Sequence, residues 1–263
     1  MIIAVVLILA GVVVIWQANK LNASLAKLKK GGVANLLAQT KGLEAGGNLL
    51  AAQAVYQKLI SDFANSSEVM NWQRKVEEIN IKLLFSATIT PKSTLYEIRP
   101  GDTLRKIAQE FKTTVELIKK SNNLASDNII PGRKIKVYTA PFNILIDKSQ
   151  NILMLKTDDE IFKTYIVSTG ANNSTPTGTF KIVNKLQNPT WFKAGAVVPP
   201  GSPQNILGSR WLGLNLPGYG IHGTTDPQDL GRQVTQGCVR LSNADVEELY
   251  TIVPVGTEVA IVD

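Results

Sequence analysis

The sequence predicts a multidomain protein: an N-terminal transmembrane helix and helical spacer, a small α+β module of βααβ order, and a mainly-β C-terminal domain. Three observations carry this expectation. Residues 2–16 are uninterrupted apolar side chains, residues 33–84 repeat apolar positions at helical spacing, and from Phe142 the spacing drops to two. The 263 residues exceed one domain of typically ~100–200 residues and suffice for two. The expected boundaries are 1–19 for the anchor, 20–90 for the spacer, 91–140 for the module and 141–263 for the C-terminal domain.

Composition narrows the chemistry. Hydrophobic residues make up 44% and charged residues 19%, a globular balance. Cys238 is the single cysteine and His222 the single histidine. That excludes an intramolecular disulfide framework and any multi-cysteine zinc or iron–sulfur site, and a three-ligand zinc would need carboxylates to fill in. No metal or cofactor is therefore expected. The net charge is +7, but residues 141–263 hold nine basic and eleven acidic side chains, so the basic excess lies upstream. There, Lys and Arg are scattered through helical stretches instead of gathering beside aromatic residues on one face. Nucleic acid is thus not an expected partner, and an anionic cell envelope is the better one.

The apolar run IIAVVLILAGVVVIW spans ~22 Å as a helix, short of a ~30 Å hydrocarbon core. Gln17, Ala18 and Asn19 extend it into the interface, with Trp16 as an interfacial anchor. No small-x-small cleavage pattern follows cleanly, which favours an uncleaved anchor over a removed signal peptide. Lys20, Lys27, Lys29 and Lys30 follow the run. Taken alone, that bias would keep the C-terminal part in the cytoplasm; a basic stretch upstream of Met1 would reverse it.

Leu36, Leu37, Leu43, Leu49, Leu50, Val55, Leu59 and Ile60 mark the first helical stretch, and Val69, Trp72, Val76, Ile79 and Leu83 a second. Ala52–Ile60 weakly resembles half of a tetratricopeptide-type repeat, but one copy cannot build a solenoid. A helical hairpin is expected, serving as spacer or as a docking surface for a protein partner. Residues 86–93 are a polar linker.

Next, Leu95–Arg99 alternates into the Pro100-Gly101 turn. Asp102 or Thr103 can cap a helix bearing Leu104, Ile107, Ala108 and Phe111, and Thr113 with Glu116 reads as a capping box before Leu117 and Ile118. Pro131-Gly132 leads into Ile135–Tyr138. The GDTL element, the Asn123-Leu124 pair and the PGRKIKV ending resemble a LysM domain over about 45 residues. The resemblance implies binding of N-acetylglucosamine-containing glycan strands such as peptidoglycan, in a shallow groove near the helix starts.

In the C-terminal domain Ile144 and Ile146, then Ile152 and Met154, flank a KSQN turn as a hairpin. Ile161–Ser168 and Gly178–Lys185 are further strands, and one helix runs from Asn243 to Ile252 behind a Ser242/Asp245 cap. Gly218–Gly223 satisfies G-x-G-x-x-G, but no helix-forming run follows it, so it is no nucleotide site. His222 and Cys238 lie 16 residues apart in IHGTTDPQDLGRQVTQGCVRLSN. A thiol attacks as thiolate, and a neighbouring imidazole can take its proton. Gly237 lets a substrate backbone approach and frees N–H groups for an oxyanion, while Arg240 falls on the Cys238 face of an extended segment as a carboxylate clamp. On spacing alone, a buried structural cysteine with an incidental histidine is the simpler reading.

The segment resembles the active-site signature of the YkuD-type L,D-transpeptidases through His222-Gly223 and Thr235, Gly237, Cys238 and Arg240. Ser168–Phe180 with its TPTG, Asn188–Trp191, Val197–Gly201, Asn205–Leu214 and Gly218–Thr224 add to the likeness, which runs from about Phe142 to Val262. Many members carry His where this chain has Gln236. The resemblance implies that Cys238 attacks the stem tetrapeptide of peptidoglycan, forms a thioester and expels D-alanine, with His222 relaying the proton. The Gly223 carbonyl would orient the imidazole, the Gly237 and Cys238 N–H groups would hold the oxyanion, and Arg240, Thr235, Gln236 and Tyr219 would bind substrate. A second stem's amine then resolves the thioester into a cross-link without any metal. Water as acceptor would instead give an L,D-carboxypeptidase, and loss of activity a peptidoglycan-binding scaffold.

Overall fold

The structure is a computed structural model that describes residues 31–193 and 195–263. The expected anchor at 1–19 lies outside the described residues, and among those described no helix is long and apolar enough to cross a membrane. The chain divides into two compact units, one ending at Ile79 and one running Asn80–Asp263.

The first unit is helical: α1 (residues 31–45), α2 (Leu49–Asp62) and most of α3 (Val69–Leu84). Among the described residues these are three helices, where the sequence suggests a hairpin of two. The break falls at Gly46-Gly47, where Gly47 takes φ 72°, and the Asn48 side chain caps α2 by accepting from Ala51 N at 3.3 Å. Apolar spacing alone does not register such a break, because positions on either side keep the same helical phase.

The second unit opens with the βααβ module. Strands β1 (Ser93–Glu97) and β2 (Lys134–Tyr138) pair antiparallel, Tyr96 opposite Ile135, and carry α4 (Leu104–Glu110) and α5 (Val115–Ser121) between them. Thr103 caps α4 by accepting from Lys106 N, while Asp102 accepts from Tyr96 OH at 2.8 Å and Arg99 N at 2.7 Å. The α5 cap is Thr114, accepting from Leu117 N at 2.9 Å, in place of the Thr113 suggested by its distance to Glu116. Thr114 Oγ1 also donates to the Thr251 carbonyl, a long-range partner that local sequence cannot show.

The C-terminal domain is built on an eight-stranded mixed sheet, formed from β3 (Asn143–Asp147), β4 (Ile152–Thr157), β5 (Glu160–Ile166), β7 (Gly178–Gln187), β10 (Arg210–Leu214), β11 (Gly220–His222), β13 (Val239–Arg240) and β14 (Glu258–Val262). The spatial order is β13-β11-β10-β7-β14-β3-β4-β5, with parallel pairs at β14–β3 and β11–β13. Short pairs β6 (Thr169–Gly170) with β12 (Gln233–Thr235), and β8 (Trp191–Lys193) with β9 (Ala196–Val198), lie outside it. Helix α6 (Asn243–Ile252) completes the domain. On β3 the buried residues are Ile144 and Ile146; on β4 they are Leu153, Leu155 and Thr157, and Ile152 and Met154 face the half-buried side. An ILML run is apolar on both faces, so period two alone could not choose between them.

The module is not a bead beside the C-terminal domain. Leu117 of α5 and Tyr138 of β2 belong to the same buried cluster as Leu153, Val246, Leu249 and Ile252. Lys136, buried, donates from Nζ to the carbonyls of Leu83 at 2.6 Å and Ser86 at 2.9 Å at the end of α3. Lys120 Nζ sits 3.9 Å over the Phe85 ring. Leu117→Ala should therefore destabilise the unit by about 2–5 kcal/mol and lower the temperature at which Cys238 becomes accessible to a thiol reagent. An unchanged Cys238 exposure temperature would show that the two parts melt separately.

Candidate active site

The edge of the large sheet gathers the chemistry. In the parallel β11–β13 pair, His222 lies in register with Arg240, and the loop before β13 ends at Cys238. Tyr219, His222, Thr235, Gln236, Cys238 and Arg240 line one cleft of about 520 Å³, with Trp191, Phe192, Leu207 and Trp211 among its apolar walls. Gly223 and Gly237 stand behind this lining, each fixed by close neighbours. A Cβ on Gly237 would meet Tyr219 Cε1 at 2.7 Å, and one on Gly223 would meet Asn243 Oδ1 at 2.2 Å. Gly237 also holds φ 129°, a backbone open to glycine.

His222 is buried and its ring stacks on Trp211, centroids 5.7 Å apart at 20°. Its Nδ1 lies 2.7 Å from the Gly223 carbonyl oxygen. A carbonyl only accepts, so Nδ1 carries the hydrogen and Nε2 is the basic nitrogen of the neutral ring. Burial pushes the imidazole pKa down to about 4; the Gly223 carbonyl opposes this, the Arg240 charge reinforces it, and the Leu207 carbonyl opposes it.

Cys238 Sγ donates to the Gly218 carbonyl at 3.5 Å. Burial raises the thiol pKa above its ordinary value, with the Gly220 backbone and the Arg240 charge only partly offsetting it. Both shifts favour the uncharged form of their group. The sequence offers an imidazole that can take the thiol's proton; desolvation of both groups disfavours the charged thiolate and imidazolium at rest.

Two loop groups have their hydrogen bonds committed. Thr235 Oγ1 accepts from Gly237 N at 3.1 Å and donates to the Cys238 carbonyl at 2.6 Å. The Gly237 N–H is therefore engaged within the loop, and the Thr235 hydroxyl ties that loop together. Arg240, by contrast, has a buried Nε with no hydrogen-bond partner, and among the described residues no carboxylate pairs with it. It is a cation in the cleft without a protein counter-ion among the described residues. No group of His, Cys, Asp and Glu among the described residues could hold a metal.

Asn243, which the sequence offers only as a helix start, clamps the wall behind His222. Its Oδ1 accepts from Ser209 N at 3.0 Å and its Nδ2 donates to Thr224 O at 3.0 Å. Trp211 is likewise legible only as an apolar residue in a motif, and its stacking on His222 comes from the β10–β11 register. A second, shallow depression on the module is lined by Tyr96, Arg99, Pro100, Phe111, Pro131 and Gly132 among others. It lies at the end of α4 and the strand turns, whereas the resemblance implies a groove near the helix starts; no residue of the first turn of α4 or α5 lines it.

The L,D-transpeptidase catalytic domain (YkuD) matches residues 141–261, and the LysM domain matches residues 96–137. A putative L,D-transpeptidase YkuD of Bacillus subtilis is 35% identical over 173 residues, covering 63% of this chain and 97% of the relative. The chain belongs to the YkuD family of L,D-transpeptidases. A YkuD protein of Bacillus licheniformis is 36% identical over 176 residues, covering 64% of this chain and 98% of the relative. The putative L,D-transpeptidase YqjB of Bacillus subtilis is 37% identical over 126 residues, 46% of this chain and 70% of the relative. The L,D-transpeptidase match contains the whole cleft from Leu186 to Arg240, and the LysM match contains the α4-end depression except for Thr94 and Leu95.

Proposed function

We propose that this L,D-transpeptidase family member acts on peptidoglycan through a Cys238 acyl-enzyme, cross-linking the diamino acids of two stem peptides. The observation that carries this is the convergence on one cleft of a thiol, an imidazole with Nε2 unprotonated, and the unpartnered cation of Arg240. In this reading the Cys238 sulfur attacks the carbonyl of the third stem residue as its proton passes to His222 Nε2. The oxyanion is met by the Cys238 N–H, because the Gly237 N–H is engaged by Thr235. Collapse expels D-alanine, whose amine takes the proton back from the imidazolium. A second stem's side-chain amine then attacks the thioester, passes its proton to Nε2, and returns the thiol. Arg240 holds a substrate carboxylate, while Gln236 and Tyr219 frame the stem at the cleft mouth.

The LysM depression takes the N-acetylglucosamine strand, and the apolar run at residues 2–16 tethers the enzyme to the membrane on the peptidoglycan side. Tether and glycan site both raise local concentration at the polymer. The helical unit ending at Ile79 serves as spacer and as a docking surface for a protein partner.

The deciding experiment incubates the full chain with disaccharide-tetrapeptide and follows products by mass spectrometry. Release of D-alanine with dimer formation is the expected result. Tripeptide without dimer would make the protein an L,D-carboxypeptidase, with water resolving the thioester. No reaction by folded protein would leave a peptidoglycan-binding scaffold.

A further inference from the structure

The first threonine of the TPTG segment, Thr175, does not line the cleft and is 1% exposed. Its hydroxyl oxygen accepts from Gly170 N at 2.7 Å and donates to the Gly237 carbonyl at 2.9 Å. The direction is forced. Gly170 N–H can only donate and the Gly237 carbonyl can only accept, so the single hydroxyl proton points at Gly237.

That bond reaches the reacting atoms through one peptide plane. The Gly237–Cys238 peptide is trans and planar, so its C=O and N–H point in opposite directions. Holding the Gly237 carbonyl toward buried Thr175 turns the Cys238 N–H to the other side, away from the interior contact. Gly237, at φ 129°, imposes little local preference on this plane, so its orientation depends on an outside anchor. The anchor is itself held. Lys148, buried, donates from Nζ to the Thr175 carbonyl at 2.9 Å and pairs with Asp263 Oδ1 at 2.9 Å.

We propose that Thr175 is a positioning residue that aims the Cys238 N–H at the oxyanion formed when Cys238 is acylated. This rests on the reading of Cys238 as the acyl acceptor. The side chain touches neither substrate nor sulfur; its effect passes through the Gly237 carbonyl.

Two reactions at the same sulfur separate this role from general damage. Acylation by p-nitrophenyl acetate or disaccharide-tetrapeptide passes through an oxyanion. Alkylation by iodoacetamide at pH 8.5 displaces iodide at a saturated carbon and forms none. In the full chain, Thr175→Val should lower the acylation rate about tenfold to a hundredfold while alkylation stays within about twofold, and Thr175→Ser, which keeps the hydroxyl, should recover most of the lost rate. Unchanged acylation in the valine variant, or an equal fall in both reactions, would overturn the proposal. Should the valine variant lack a cooperative melt, Thr175→Ala is judged by the same ratio of rates. A wild type that is alkylated but never acylated overturns the acyl-enzyme itself, a result distinct from equal acylation of wild type and variant.

Discussion

Replacing Cys238 by serine is expected to lower turnover of the tetrapeptide donor by about 10⁴-fold or more and to abolish the covalent adduct seen in intact-protein mass. Serine differs by one atom and can keep the hydrogen bond to the Gly218 carbonyl, so the melting temperature should hold. What disappears is the nucleophile. A hydroxyl is far more basic than a thiol once ionised, and a neutral imidazole takes its proton only at much greater expense in free energy. The chain has no other cysteine, so an acyl adduct that survives in Cys238→Ala as well, where position 238 holds no nucleophile, would place the nucleophile elsewhere and refute the mechanism.

The second large effect concerns His222. His222→Gln retains a polar side chain but no titratable base, and acylation should fall about 10²–10⁴-fold. Alkylation of Cys238 at pH 8.5, where bulk hydroxide can take the proton, should fall far less. The wild-type pH profile distinguishes this buried base from an ordinary one. Only neutral imidazole can accept the thiol proton, and burial holds its pKa down to about 4. The acid limb of kcat/KM should therefore break near about 4, where an exposed histidine would break near ~6.5. A break near 6.5 would mean that the ring is solvated in the working enzyme.

The same shift sets acid stability. The unfolded chain binds the proton at the ordinary value and the folded chain only near 4, so folded-state stability is whole above ~6.5 and erodes as pH falls toward 4. Below pH 6 the glutamine variant should accordingly lose less of its melting temperature than the wild type.

How much of this could be read from the chain differs by the kind of interaction. Helix α6 and its Ser242 cap were legible because cap and apolar phase are local. So was the β3–β4 hairpin, although the buried side of β4 was not, since Ile152 to Leu155 offers an apolar residue to either face. The residues of the cleft were legible through the pattern of His222, Cys238 and Arg240, whose types carry chemistry. Their electrostatics were not: the lowered His222 pKa and the raised Cys238 pKa follow from desolvation, which no spacing encodes. Threonines were the least legible. Thr114, Thr175 and Thr235 each act through a carbonyl supplied by another segment or by their own turn, and a hydroxyl in sequence gives no sign of which carbonyl it will find. The merging of the module with the catalytic core was hidden for a similar reason. Leu117 fits a small module's own helix equally well, and only the packing against α6 reveals the second allegiance.

The protonated resting thiol also bears on chemical durability. Peroxide and disulfide reagents react with thiolate, and a thiol held above its ordinary pKa exposes little of it at neutral pH. The partial desolvation that holds the Cys238 thiol protonated therefore also slows its oxidation.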